Sequence, residues 1–196
     1  MDEREQLEKV ATLFDAWAQS GRAEGMERGH VPTARQAYER LGVGPGHRYL
    51  DIGCGNGYTV RWAAAEDQTV EAYGLDLSEK MVERARAQST DLPNTRFIHS
   101  EFPLPILKEK SFDSVFSMEV FYYLPELQWA LVSVIRLLKP GGMFAYVVDY
   151  YDENDASHSW PEDVGVEMNL LSAEAWREAM LDVGFELVEQ ARLLPP

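Results

Sequence analysis

Cysteine occurs once in this chain of 196 residues, at Cys54. An intramolecular disulfide is thereby excluded, and a reducing compartment is the natural setting. No apolar run is long enough to cross a bilayer. The first residues, Met1-Asp2-Glu3-Arg4-Glu5, are charged where a signal peptide needs an apolar core. We therefore expect a cytoplasmic protein with no membrane partner. Positive charge is also scarce: 18 basic against 33 acidic side chains leave a net charge of −15. Such a surface repels phosphate backbones, so no nucleic acid is expected to bind. It suits a soluble acidic enzyme or a protein adapted to a salt-rich cytoplasm. The four histidines and one cysteine show no ligand spacing, so no metal is expected. Repeats are absent, and the length fits one α/β domain with a substantial core.

What is present centres on Tyr49-Leu50-Asp51-Ile52-Gly53-Cys54-Gly55-Asn56-Gly57. A short apolar run ending in an aspartate and breaking into alternating glycines reads as a buried strand that turns into a helix. The glycines admit positive φ and a close ligand, and the helix start offers free N–H donors. A second strand, predicted over 69–75, ends at Asp76. A carboxylate at such a tip can accept both protons of two vicinal ribose hydroxyls. Ser78 then caps a helix that carries Met81, Val82 and Ala85.

The glycines fall at G-x-G-x-G and not at the G-x-G-x-x-G of dinucleotide-binding folds. With Asp51 in front, this stretch resembles motif I of the class I S-adenosylmethionine (SAM) dependent methyltransferases. Gly74-Leu75-Asp76-Leu77-Ser78, Phe112-Asp113-Ser114-Val115 and Arg136-Leu137-Leu138-Lys139-Pro140-Gly141-Gly142 resemble later motifs of that family in order and spacing. The resemblance implies a doubly wound, mostly parallel Rossmann-like sheet with helices on both faces and an N-terminal helical cap. It implies SAM as cofactor and S-adenosylhomocysteine (SAH) as product. The implied cofactor-binding set is Asp51, Gly53, Cys54, Gly55, Asn56, Gly57, Asp76, Leu77, Met81, Ser100, Glu101, Phe102 and Met118. Where the family usually places an aspartate-alanine pair beside adenine, this chain has Ser100-Glu101-Phe102. The proline-rich tetrapeptide of exocyclic-amine DNA methyltransferases and the Pro-Cys nucleophile of cytosine enzymes are missing.

Residues 5–41 are expected to form the cap: one helix from Glu5 to Ser20, a glycine-punctuated charged stretch over 22–30, and a short helix from Thr33 to Leu41. The cofactor core follows over 47–149, with strands at 95–99, 112–117 and 143–149. An aperiodic aromatic stretch, 150–171, leaves the last of these strands and suggests a substrate wall. A C-terminal helix and a final strand near 185–193 complete the expectation over 172–196. No segment for the family's seventh, antiparallel strand is found.

Methyl transfer from a sulfonium needs alignment of nucleophile and carbon, and a base only if the acceptor must lose a proton. Candidates are His30, His158 and Tyr122, with Tyr123, Asp149 and Tyr150 behind them; imidazole leads because it titrates near neutrality. The enclosed aromatic loop favours a small-molecule methyl acceptor. A protein methyltransferase, a SAM-binding module without turnover and, more distantly, a NAD-dependent dehydrogenase remain as alternatives.

Overall fold

The computed structural model describes residues 2–194. Five strands, β1 (Arg48–Ile52), β2 (Glu71–Asp76), β3 (Thr95–His99), β4 (Phe112–Met118) and β5 (Leu138–Val147), form one sheet in the order β3-β2-β1-β4-β5. Every pairing is parallel. Parallel neighbours need crossovers, and three helices lie in them: α3 (Tyr58–Glu66), α4 (Glu79–Ala87) and α5 (Leu127–Leu137); a further helix, α7 (Ala173–Asp182), follows the last strand. The sheet is covered on both faces, so β1 and β4 are buried along nearly their whole length. Tyr49, Leu50, Val115 and Phe116 are fully buried. The strand order reverses between β1 and β4, and the crevice beyond their C-terminal ends is where such sheets bind ligands.

Close packing dictates the glycines of the β1–α3 turn. Gly57 has φ +80°, and a Cβ there would lie 2.7 Å from the Phe97 ring and 3.0 Å from Ala85. A Cβ on Gly53, at φ +74°, would lie 2.2 Å from a Val120 methyl. Gly55, at φ +53°, faces open space.

The N-terminal segment departs from the sequence expectation. The first helix, α1 (Glu3–Gln19), forms as read, but the second, α2, runs unbroken from Arg22 to Glu39 and carries Gly25, Gly29 and Pro32 inside it. Each internal glycine costs a helix about 1 kcal/mol. Tertiary contacts offset this: Ala23 is buried, Glu24 pairs with Arg84 of α4, and Glu27 Oε2 accepts from Asn56 Nδ2 at 2.6 Å. Gly21, at φ +77°, makes the corner between the two helices.

The predicted final strand is a second correction. Residues 185–194 form no ladder with β5. Phe185 packs on Phe144 and Arg40 pairs with Glu189, while Leu187 and Val188 are 48% and 75% exposed. The residues 195 and 196, included in that C-terminal expectation, lie outside the described ones. The stretch after β5 is partly ordered into a short helix, α6 (Trp160–Val164). No helix among the described residues is long and apolar enough to cross a membrane.

Candidate functional site

One cavity of about 410 Å³ opens at the C-terminal ends of β1, β2 and β4. Its floor is the β1–α3 turn, its roof the cap helices, and one side wall comes from α6 through Trp160, Asp163 and Val164.

The cap is held down by polar contacts. Asp15 Oδ1 of α1 accepts from Ser78 Oγ at 2.5 Å and from the Lys80 backbone N–H at 3.0 Å, sharing in the cap of α4. Gln6 exchanges two bonds with the Glu167 backbone, donating to its carbonyl and accepting from its N–H, which ties α1 to the stretch after β5. Asn169 donates to the carbonyls of Tyr122 and Leu124, each at 2.7 Å, and anchors that stretch to the tip of β4. Roof and wall are thus joined to the sheet at specified points.

At the floor, Asp76 Oδ2 accepts from the Gly55 N–H and Oδ1 from the Ser78 N–H, both at 2.8 Å. Burial pushes its carboxyl up to about 6 against the pull of those two N–H groups. Asp51 is deeper. Thr59 donates to its Oδ2, while its Oδ1 is buried with no partner. Burial, with a contribution from the charge of Asp76, raises the Asp51 carboxyl to about 7. A buried polar atom without a partner is rare in a native interior, and here it belongs to an acid beside a ligand-sized space. The floor therefore fits a ligand with hydroxyls and a cationic end, which are the groups a ribose and an aminoacyl sulfonium supply.

Of the cofactor set read from the sequence, Asp51, Gly53, Cys54, Gly55, Asn56, Asp76, Leu77, Met81, Ser100, Glu101, Phe102 and Met118 all line this cavity. Gly57 does not; it sits beneath, against Phe97, and its successor Tyr58 lines the wall instead. Cys54 is buried and its thiol is pushed well above the usual range by burial, so it is a packing residue and not a nucleophile.

The three residues read as catalytic separate. His30 reaches the cavity from α2, with burial lowering its pKa and Asp149 opposing that shift. Tyr122 also lines it, but its hydroxyl donates to Glu119 Oε2 at 2.8 Å, and burial raises its pKa well above that of a free phenol. It is a donor there, not a base. His158 is not brought to the cavity: it is exposed, with its Nε2 3.0 Å from the Asp152 carbonyl oxygen. Asp149 and Tyr150 likewise do not line it.

Sequence reading passed over Glu119. This residue follows Met118 at the tip of β4, is 8% exposed, lines the cavity and has φ +59°, which is uncommon outside glycine. Its only sequence signal is a charge in an apolar stretch, Met118-Glu119-Val120-Phe121.

Comparison with known proteins agrees with this geometry. A methyltransferase domain family model matches residues 50–146. A methyltransferase of Haloferax volcanii, solved in a complex with the Trm112 methyltransferase activator, is 39% identical and superposes with a TM-score of 0.88 over 93% of this chain and 80% of its own. The 24-methylenesterol C-methyltransferase 2 of Oryza sativa subsp. japonica is 30% identical over 86% of this chain and 51% of its own length. The 27-O-demethylrifamycin SV methyltransferase of Amycolatopsis mediterranei is 38% identical over 51% of this chain and 38% of its own. The chain spans about half the length of the curated relatives it matches. With its parallel sheet, glycine turn and acid at the tip of β2, the chain belongs to the class I SAM-dependent methyltransferases.

Proposed function

We propose that this protein transfers a methyl group from SAM to a small-molecule acceptor inside the cavity beneath the cap. The observation that carries the proposal is the continuity of one roofed space from Asp76 and the glycine turn to Glu119 and Tyr122. An acceptor lodged at the second end meets a methyl presented from the first. When bound, SAM supplies an electrophilic methyl on a good leaving group, and the protein's contribution is alignment and exclusion of water.

The roles we assign are as follows. Asp76 accepts from the ribose hydroxyls. Glu101 accepts from the adenine amino group while the Phe102 backbone N–H faces the ring, with Ser100, Leu77 and Met81 around them. Asp51, positioned by Thr59, holds the ammonium end, and the turn from Gly53 to Gly57, with Cys54 and Asn56, lies under the methionyl part beside Met118. The division into cap, core, wall and C-terminal helix follows from the same reading, as does a cytoplasmic location suited to the lone thiol. The roof and the α6 wall favour a small acceptor over a protein side chain.

The test is transfer of labelled methyl from SAM into a cell extract separated by ultrafiltration. Label in the low-molecular-weight filtrate is expected. Label confined to protein would favour a protein methyltransferase, and bound SAM with no transfer to either fraction would favour a binding module.

A further inference from the structure

The acceptor end of the cavity has a chemistry of its own, centred on Glu119. One carboxylate oxygen, Oε2, accepts from the Tyr122 hydroxyl; the other, Oε1, is buried without a hydrogen-bond partner. The Tyr58 hydroxyl, close enough to feel the charge of Glu119, is also buried and unpartnered. The backbone of Glu119 is held in the left-handed region, a strained state for a non-glycine residue that costs on the order of 1–3 kcal/mol and persists only where the surrounding structure over-determines it. Its N–H is bonded to the Val147 carbonyl of β5 at 2.9 Å, so β5 fixes the position of the bend.

The charge of the walls narrows what can approach. Acidic lining residues are Glu27, Asp51, Asp76, Glu101, Glu119 and Asp163, while the basic ones are Arg22 and a His30 whose burial favours the neutral form. Arg22 lies 3.9 Å over the Trp17 ring. Anionic acceptors such as carboxylates or phosphates meet like charge here. Phe14, Trp17, Tyr122, Tyr123 and Trp160 present aromatic surface, which attracts cations.

We propose that Glu119 is the acceptor-side recognition and proton-accepting group, and that the acceptor it selects is a small amine entering as its ammonium form. This rests on the methyltransferase reading above and names the substrate class for it. The unpartnered Oε1 takes an N–H of the ammonium. The amine gives one proton to the carboxylate, its freed lone pair forms the new nitrogen–carbon bond, and the carbon–sulfur bond breaks with its electron pair left on sulfur. The proton then passes to water, so the balance is one proton released for each methyl moved. Burial and the nearby charge of Asp149, opposed by donation from Tyr122 and by the Asp149 backbone N–H, place the Glu119 carboxyl at about 8, where it can both lose and regain a proton near neutrality. Tyr58 and Tyr123 face it from α3 and from its own segment, and burial raises both of them, so they stay protonated there.

The test uses three probes of one shape, benzylamine, benzyl alcohol and benzoate, titrated calorimetrically into protein saturated with SAH. Benzylamine is expected to bind at least tenfold more tightly than the alcohol, and benzoate to give no binding. Glu119→Gln is expected to lower benzylamine affinity tenfold or more with SAH affinity unchanged. Tyr122→Phe, which keeps the carboxylate but removes its donor, should move the pH at which benzylamine binding is half lost upward. Equal affinity for amine and alcohol, or Glu119→Gln without effect while SAH still binds, would overturn the proposal. Failure of SAH itself to bind would instead overturn the methyltransferase reading.

Discussion

Replacing Asp76 by alanine is expected to weaken SAH binding by about a hundredfold or more, judging from hydrogen bonds to a charged group at about 1.5–3 kcal/mol each and 1.4 kcal/mol for each factor of ten. Two such bonds set the upper end, near 6 kcal/mol by the same figures. The lower end is the better expectation, because Asp76 already accepts from Gly55 and Ser78 and part of its capacity is committed. Each carboxylate oxygen nonetheless retains a second lone pair for a ribose hydroxyl. Asp76→Asn keeps one acceptor oxygen and should fall between the two. Calorimetry with SAH on both variants gives the comparison. Retention of affinity within a few-fold in Asp76→Ala would remove this residue from the binding account. A fall in thermal stability should accompany the alanine change, since the Gly55 and Ser78 N–H groups lose their partner.

Acidity should stabilise the ligand-free protein over the range where most proteins are indifferent. Asp51 is raised from 3.8 to about 7 by burial, and Asp76 and Glu119 are raised likewise to about 6 and about 8. Between the unfolded and folded values the native chain holds protons that the unfolded chain has lost. Stability is therefore fully present below about pH 4 as far as these groups are concerned, and is lost as pH rises through 6 to 8. Each such group contributes a slope of up to about 1.4 kcal/mol per pH unit. The melting temperature of the ligand-free protein is expected to fall by several degrees from pH 5 to pH 8. SAM has the opposite dependence, because its cationic end favours ionised Asp51, so its affinity should rise over the same interval. Asp51→Asn removes one of the three buried groups and should make the slope shallower, leaving the contributions of Asp76 and Glu119. An unchanged slope in that variant would show that Asp51 does not contribute to it.

Much of this architecture is legible in the sequence where function is written locally. The turn from Asp51 to Gly57 requires glycine at 53 and 57 because Val120, Phe97 and Ala85 stand where side chains would be. Ser78 caps α4 as its position implied, accepting from the Met81 N–H. Strand β3 occupies the residues predicted for it, 95–99. The misreadings concern properties that no local window holds. Residues 22–30 look like a loop because of Gly25 and Gly29, yet contacts to Arg84 and Asn56, more than 25 residues away in sequence, keep them helical. Residues 185–193 have the composition of a strand but no ladder partner, and pairing is not encoded in composition. Glu119 escaped notice because its meaning lies in its surroundings: only the fold shows that its carboxylate is buried and half-partnered in a residue that lines the ligand space. His158 drew attention by residue type alone, and type does not say which way a loop folds.

The most direct measurement is a calorimetric titration of the purified protein with SAH and, separately, with NADH. One SAH bound for each chain, with no heat from NADH, is the predicted result, and the sulfonium form should bind in the same stoichiometry. NADH binding with SAH ignored would contradict the assignment of the crevice between β1 and β4 to an adenosyl sulfonium.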